Sequence, residues 1–272
     1  MQDVRPAAVA GMFYPDAPER LAGEIRAYLS DASAQAALMP KALIVPHAGY
    51  IYSGPIAANA YALLAPLRES IRRVVLLGPA HRVAVRGLAT TSASAFETPL
   101  GEVRIDTHAV AAALSFPQVT VSDVAHAHEH ALEVQLPFLQ TVLRSFSLVP
   151  FAVGHVSTED VAEVMDALWG GPETLVVVSS DLSHYRSYAE AKRIDRATTD
   201  AILAMSPILD HEQACGATPI NGLLQCAKRR GLSPTLLDLR NSGDTAGDRG
   251  RVVGYASFAF HRPGGPPPLS AA

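Results

Sequence analysis

Four short, unbroken runs of aliphatic and β-branched residues constrain this chain more than any other feature: KALIVP (41–46), RRVVLLGP (72–79), FSLVPFAVG (146–154) and ETLVVVSS (173–180). A run of this length with no polar alternation reads as a strand buried on both faces, the kind found in sheets covered by helices. Between the runs lie helical patterns, among them PERLAGEIRAYLS (18–30), GPIAANAYALLAPL (54–67), ALEVQLPFLQTVL (131–143, with an internal proline) and TEDVAEVMDALWG (158–170, with a threonine cap). Longer helices are expected over 187–205 and 217–230, and closing strands at PTLLDLRN and RVVGYASFAF. Strand, helix and strand in succession make a βαβ unit, so the 41–46 and 72–79 strands are expected to be parallel and adjacent. The expected fold is one α/β domain over residues 1–260, a layered sandwich around a largely parallel or mixed sheet. The Pro/Gly-rich end, 261–272, is expected to be a disordered tail.

Composition excludes several functions. The net charge is −4 and Lys and Arg form no block, so no nucleic-acid footprint is expected. No apolar run reaches the ~20 residues of a membrane span, and the first residues lack the pattern of a signal peptide. The only cysteines, Cys215 and Cys226, form no CxxC, which argues against a disulfide framework and for a reducing, cytoplasmic setting. No GxGxxG, GxxxxGK[ST] or GxSxG motif is present, so nucleotide loops and a serine nucleophile elbow are not indicated.

Histidines recur where strands end. His47 follows the first strand, His81 follows the second, and Asp181 and His184 follow ETLVVVSS. Ligands of open α/β sheets collect outside the carboxyl ends of the strands, so these loops share one edge and can converge on one ion. Proline before His47 and Gly-Pro before His81 end the strands and stiffen the loops. Each histidine alone is better explained as a bystander; three on one edge are not. Cys215 stands before a helix expected to begin near Pro219, where a helix N-terminus favours the thiolate. Cys226 has the spacing of a core residue. In HAHEHALEVQLPFL (126–139), His130 and Glu133 would share one helix face, either as a weak metal motif or with His130 as a supporting or substrate-contacting group. His126 and His128 are expected to be loop residues without a chemical role. NSGDTAGDRGRVVGY lacks the acids of a calcium loop and reads as a tight turn into the last strand.

The segments RPAAVAGMFYP, PHAGYIYSG, LGPAHR, EHALEVQLPFL, SSDLSHY, CGATPI and NSGDTAGDRGRVVGYA, in this order, resemble the MEMO family across about residues 4–260. The resemblance implies a fold similar to class III, LigB-type extradiol dioxygenases, which use non-haem Fe(II). It implies metal ligands at His47, His81 and Cys215, an acid/base at His184, and a pocket wall at Phe13 with Tyr52 as a second candidate; beside it, Asp181 is expected to orient His184 or a ligand by hydrogen bonding, and His130 to line the substrate pocket. It also implies radical-SAM and AMMECR1-type partners. A cysteine replaces the dioxygenases' carboxylate ligand, and a His₂Cys set suits copper or zinc as well as iron. The expected function is an Fe(II)-dependent, dioxygenase-type oxidoreductase acting on a small aromatic or phenolic substrate. A metal- or peptide-binding module and a zinc hydrolase are the alternatives.

Overall fold

In a computed structural model, residues 4–32 and 38–263 are described. The strands are β1 (Val4–Arg5), β2 (Ala42–Val45), β3 (Arg73–Pro79), β4 (Leu88–Thr90), β5 (Ala95–Thr98) and β6 (Gly101–Arg104). They continue with β7 (Val119–Val121), β8 (Ser147–Val153), β9 (Thr174–Ser179), β10 (His184–Arg186), β11 (Ser233–Asn241) and β12 (Val252–His261). The helices are α1 (Pro18–Asp31), α2 (Tyr50–Tyr61), α3 (Thr107–Ala113) and α4 (Asp123–Ala127). They are followed by α5 (Leu136–Val142), α6 (Thr158–Ala167), α7 (Tyr188–Leu203) and α8 (Ala217–Arg229).

The main sheet runs β10-β12-β2-β9-β3-β8-β4-β7, with β11 also paired to β12, and β1-β5-β6 form a small second sheet. Within it β2, β9, β3 and β8 are mutually parallel, whereas β12 joins β2 antiparallel. These four strands are almost wholly buried, which is why they read as continuous apolar runs. Helices α1, α2 and α5 pack together, as do α6 and α8, and helices from both groups contact the sheet. The fold is thus the expected layered α/β sandwich with a mixed sheet, held by one extensive core.

One expectation fails instructively. β2 and β3 are parallel but not adjacent, because β9 lies between them, hydrogen-bonded to both. Local sequence sets the direction of a crossover, but pairing is decided by which strand best fills the gap, here one about a hundred residues later in the chain. Smaller departures have local causes. Helix α2 begins at Tyr50 and passes through Pro55, with the Tyr50 amide held by the Phe13 carbonyl at 2.8 Å. The proline of ALEVQLPFLQTVL starts α5, after a 3₁₀ turn at Glu133–Gln135, instead of interrupting a helix. Ser157, not Thr158, caps α6. His261 closes β12, opposite Ser233, instead of opening the tail, and residues 264–272 lie outside the described residues. No helix among the described residues is long and apolar enough to cross a membrane.

Candidate metal centre

The parallel strands bring their loops to one edge. His47 sits two residues past β2, fully buried, and its amide donates to Asp181 Oδ1 at 2.7 Å. His81 sits two residues past β3 and is exposed at the mouth. His130 arrives from the segment between α4 and the 3₁₀ turn, a strap over the same edge. One ring nitrogen from each of His47, His81 and His130 lies within 4.8 Å of the others, close enough to hold a metal ion after small adjustments. The His81 and His130 rings stack at 4.8 Å, and His47 meets both edge-on. Cys215 joins through His47, its Sγ 3.4 Å from Nε2, and it accepts from the Asp181 amide at 3.3 Å.

The electrostatics suit a cation. Burial, reinforced by His81, lowers His47 to about 3, and burial with His47 nearby lowers His130 to about 4. Both rings are therefore neutral at pH 7, the form that ligates metal. Burial pushes Glu129 upward, but hydrogen bonds from the His81 ring and from the Ala131 and His81 amides outweigh it and bring it to about 2. Burial raises Asp181 against the pull of His184, and burial plus Asp181 push the Cys215 thiol up to about 12. Cys215 lies two residues before α8, yet desolvation overrides the expected preference for the thiolate. His130 Nδ1 is buried without a hydrogen-bond partner.

Around this cluster, Phe13 lies 4.7 Å from the His130 ring, and Tyr52 stands beside Gly49, which also abuts the Phe13 backbone. His184 Nδ1 is 2.8 Å from the Leu182 carbonyl, so it carries the proton and leaves Nε2 free to accept one. His184 is aimed by a β-bulge at Tyr185, whose backbone is left-handed at φ 56°. Asp195 on α7 accepts from the Ser183 amide at 3.0 Å and holds this loop from behind. Its carboxylate occupies the space of a side chain at position 254: a Cβ there would meet Oδ2 at 2.0 Å, which explains Gly254.

Other expectations change. His130 and Glu133 do not share a site, because the 3₁₀ turn directs Glu133 inward, where it accepts from Arg5 (2.5 Å), Tyr14, and the Ala8 and Val9 amides. Glu133 thereby fastens the segment that carries Phe13. His126 is not a loop residue: it is buried in α4, bonded to the Ala89 carbonyl at 2.9 Å, and lowered to about 4 by burial. Cys226 is buried as expected, and both cysteines are free. The sequence pattern does not reveal Ser179, which meets the His47 ring from behind, or Gln135, which holds Ser179 in turn. A visible signal was the pair of serines closing an otherwise apolar strand in VVVSS.

Fold and site together define a class: an α/β sandwich with a histidine cluster at the carboxyl edge of its parallel strands. The chain matches the family of Memo-like proteins over residues 5–259, and it belongs to that family. It is 36% identical to a MEMO1 family protein of Aquifex aeolicus, over 94% of this chain and 99% of that protein. It is equally identical, with the same coverage, to a MEMO1 family protein of Archaeoglobus fulgidus. Among solved structures, the uncharacterized protein JW3007 of Escherichia coli K12 shares the fold, with a TM-score of 0.50 at 13% identity, covering 80% of this chain and 99% of that one.

Proposed function

We propose that this protein is a metal-dependent oxidoreductase of dioxygenase type, using Fe(II) on a small aromatic or phenolic substrate. The observation that carries the reading is the convergence of His47, His81 and His130 within 4.8 Å at the carboxyl edge of the sheet. His47 and His81 are the constant ligands, with Cys215 and His130 as the candidates for the third place. Bound there, iron would supply the electron transfer between substrate and O₂ that no side chain here can provide. The protein's own part is positioning and proton handling. Phe13 and Tyr52 wall a slot for a planar ring, His184 takes a proton at Nε2, and Asp181 fixes the loop of His47 through its amide. A zinc hydrolase is the second reading, favoured by the all-histidine set, which is a donor set of catalytic zinc.

Metal content and EPR of protein purified without oxygen test both readings. Near-stoichiometric iron is expected, lost in His47→Ala and His81→Ala, with the loss in either Cys215→Ala or His130→Ala naming the third ligand. Oxygen uptake with a panel of catechols should then appear, and His184→Ala should keep the metal while losing about 10²–10⁴ in turnover. Variants that bind iron as well as wild type would overturn the reading. Zinc with ester or amide turnover would put the second in its place.

A further inference from the structure

The proton inventory behind the two strand-end histidines is closed, and it determines how each ring faces the site. Ser179 Oγ lies 2.6 Å from the Ala131 carbonyl, which can only accept, so the hydroxyl proton points there. Gln135 Nε2 donates to the same oxygen at 2.8 Å and to the Pro46 carbonyl at 2.9 Å, while Tyr61 holds the Gln135 Oε1 at 2.8 Å. The Pro46 contact settles the amide orientation, since that carbonyl needs a donor. Ser179 therefore has only a lone pair left for His47 Nδ1, 2.9 Å away, and His47 must carry its proton on Nδ1. His81 reaches the same state by another route. Glu129, 1% exposed, accepts from the His81 amide at 2.5 Å and from the Ala131 amide at 2.9 Å, and its Oε1 faces His81 Nδ1 at 3.0 Å. Both supports meet at Ala131, whose carbonyl takes the Ser179 proton and whose amide holds Glu129. His130 has no such support: its Nδ1 is 3.3 Å from Glu129 Oε1 but out of alignment for a hydrogen bond.

We propose that Ser179, held by Gln135, and Glu129 are positioning residues that lock His47 and His81 as Nδ1–H tautomers, so that both turn an Nε2 lone pair to the shared pocket before any ion arrives. The proposal rests on the metal reading for its purpose but not for its geometry. Supports of this kind fix ring orientation and raise ligand basicity, and losing one costs about 10–100-fold in metal affinity.

The test is the ¹⁵N spectrum of histidine-labelled, metal-free protein, read for the tautomer of each ring, beside Fe(II) and Zn(II) titrations. In wild type, both rings should be Nδ1–H. In Ser179→Ala the His47 ring should lose that preference while His81 keeps it, and in Glu129→Ala, which removes the acceptor outright, the reverse should hold, each with metal affinity reduced about 10–100-fold. If Ser179→Ala does not fold, Ser179→Cys, which keeps a side chain in place but is only a weak acceptor, should loosen the preference of His47 alone. Unchanged tautomers, or both rings moving together in each variant, would overturn the proposal. Wild type with the expected tautomers but no uptake of either metal would overturn the metal reading and leave the tautomer assignment standing.

Discussion

Two walls enclose the histidine cluster, and they treat buried polar groups in opposite ways. The strap wall, Glu129–Gln135, satisfies its charges: Glu129 is brought to about 2 by its donors, and Glu133 is paired with Arg5 with both side chains buried. The loop wall, Ser179–Tyr185 with Cys215 and Asp195 behind it, leaves its acids desolvated. Burial raises Asp181, lifts Asp195 to about 6 and the Cys215 thiol to about 12, and the backbone turns left-handed at Tyr185. Burial is common to both, so the difference lies in how many donors each carboxylate meets. The strap is a charge-satisfied support, whereas the loop's buried acids hold their protons more tightly than exposed carboxyls do.

The largest effect is expected at the strap. Glu133→Gln leaves the Arg5 guanidinium buried without its counter-charge, and urea unfolding should show a loss of about 3–5 kcal/mol. A loss below about 1 kcal/mol would mean that the strap is not a charge-satisfied support. On the loop, Asp195 is raised above its ordinary value, so the folded state holds its proton more tightly than the unfolded chain. Stability associated with this group is present below about pH 4 and falls as pH rises to about 6, by about 3 kcal/mol at most. Asp195→Asn, which keeps an acceptor for the Ser183 amide, should flatten that part of the stability–pH curve; an unchanged curve would place the slope elsewhere. The smallest effect concerns Tyr185. Tyr185→Gly relieves the left-handed backbone, offset by glycine's greater chain entropy, and should raise stability by up to about 1 kcal/mol while disturbing the aim of His184. A drop in the melting temperature would show that the exposed Tyr185 ring, with Arg251 5.3 Å over it, contributes more than the bulge costs.

Much of the loop wall was legible in the sequence, because VVVSSDLSHY names a strand, its end and its polar residues within ten positions. The strap was less so. HAHEHALEVQL offers several acids and histidines at close spacing, and nothing local separates Glu129, which faces His81, from Glu133, which faces Arg5. The 3₁₀ turn between them changes the angular step from that of an α-helix, so the shared-face argument fails there. The short strands β4, β5, β6 and β7 also escaped, being too brief to show a period.

The buried strands, their shared direction and the edge on which His47, His81 and His184 emerge follow from apolar runs and the residues that end them. That β9 enters between β2 and β3 and delivers Ser179 to His47, and that a strap from elsewhere adds His130 and Glu129, depends on long-range packing. Strand pairing and hydrogen-bond direction depend on groups far apart in the chain, and no local pattern encodes which of several donors will meet a given acceptor.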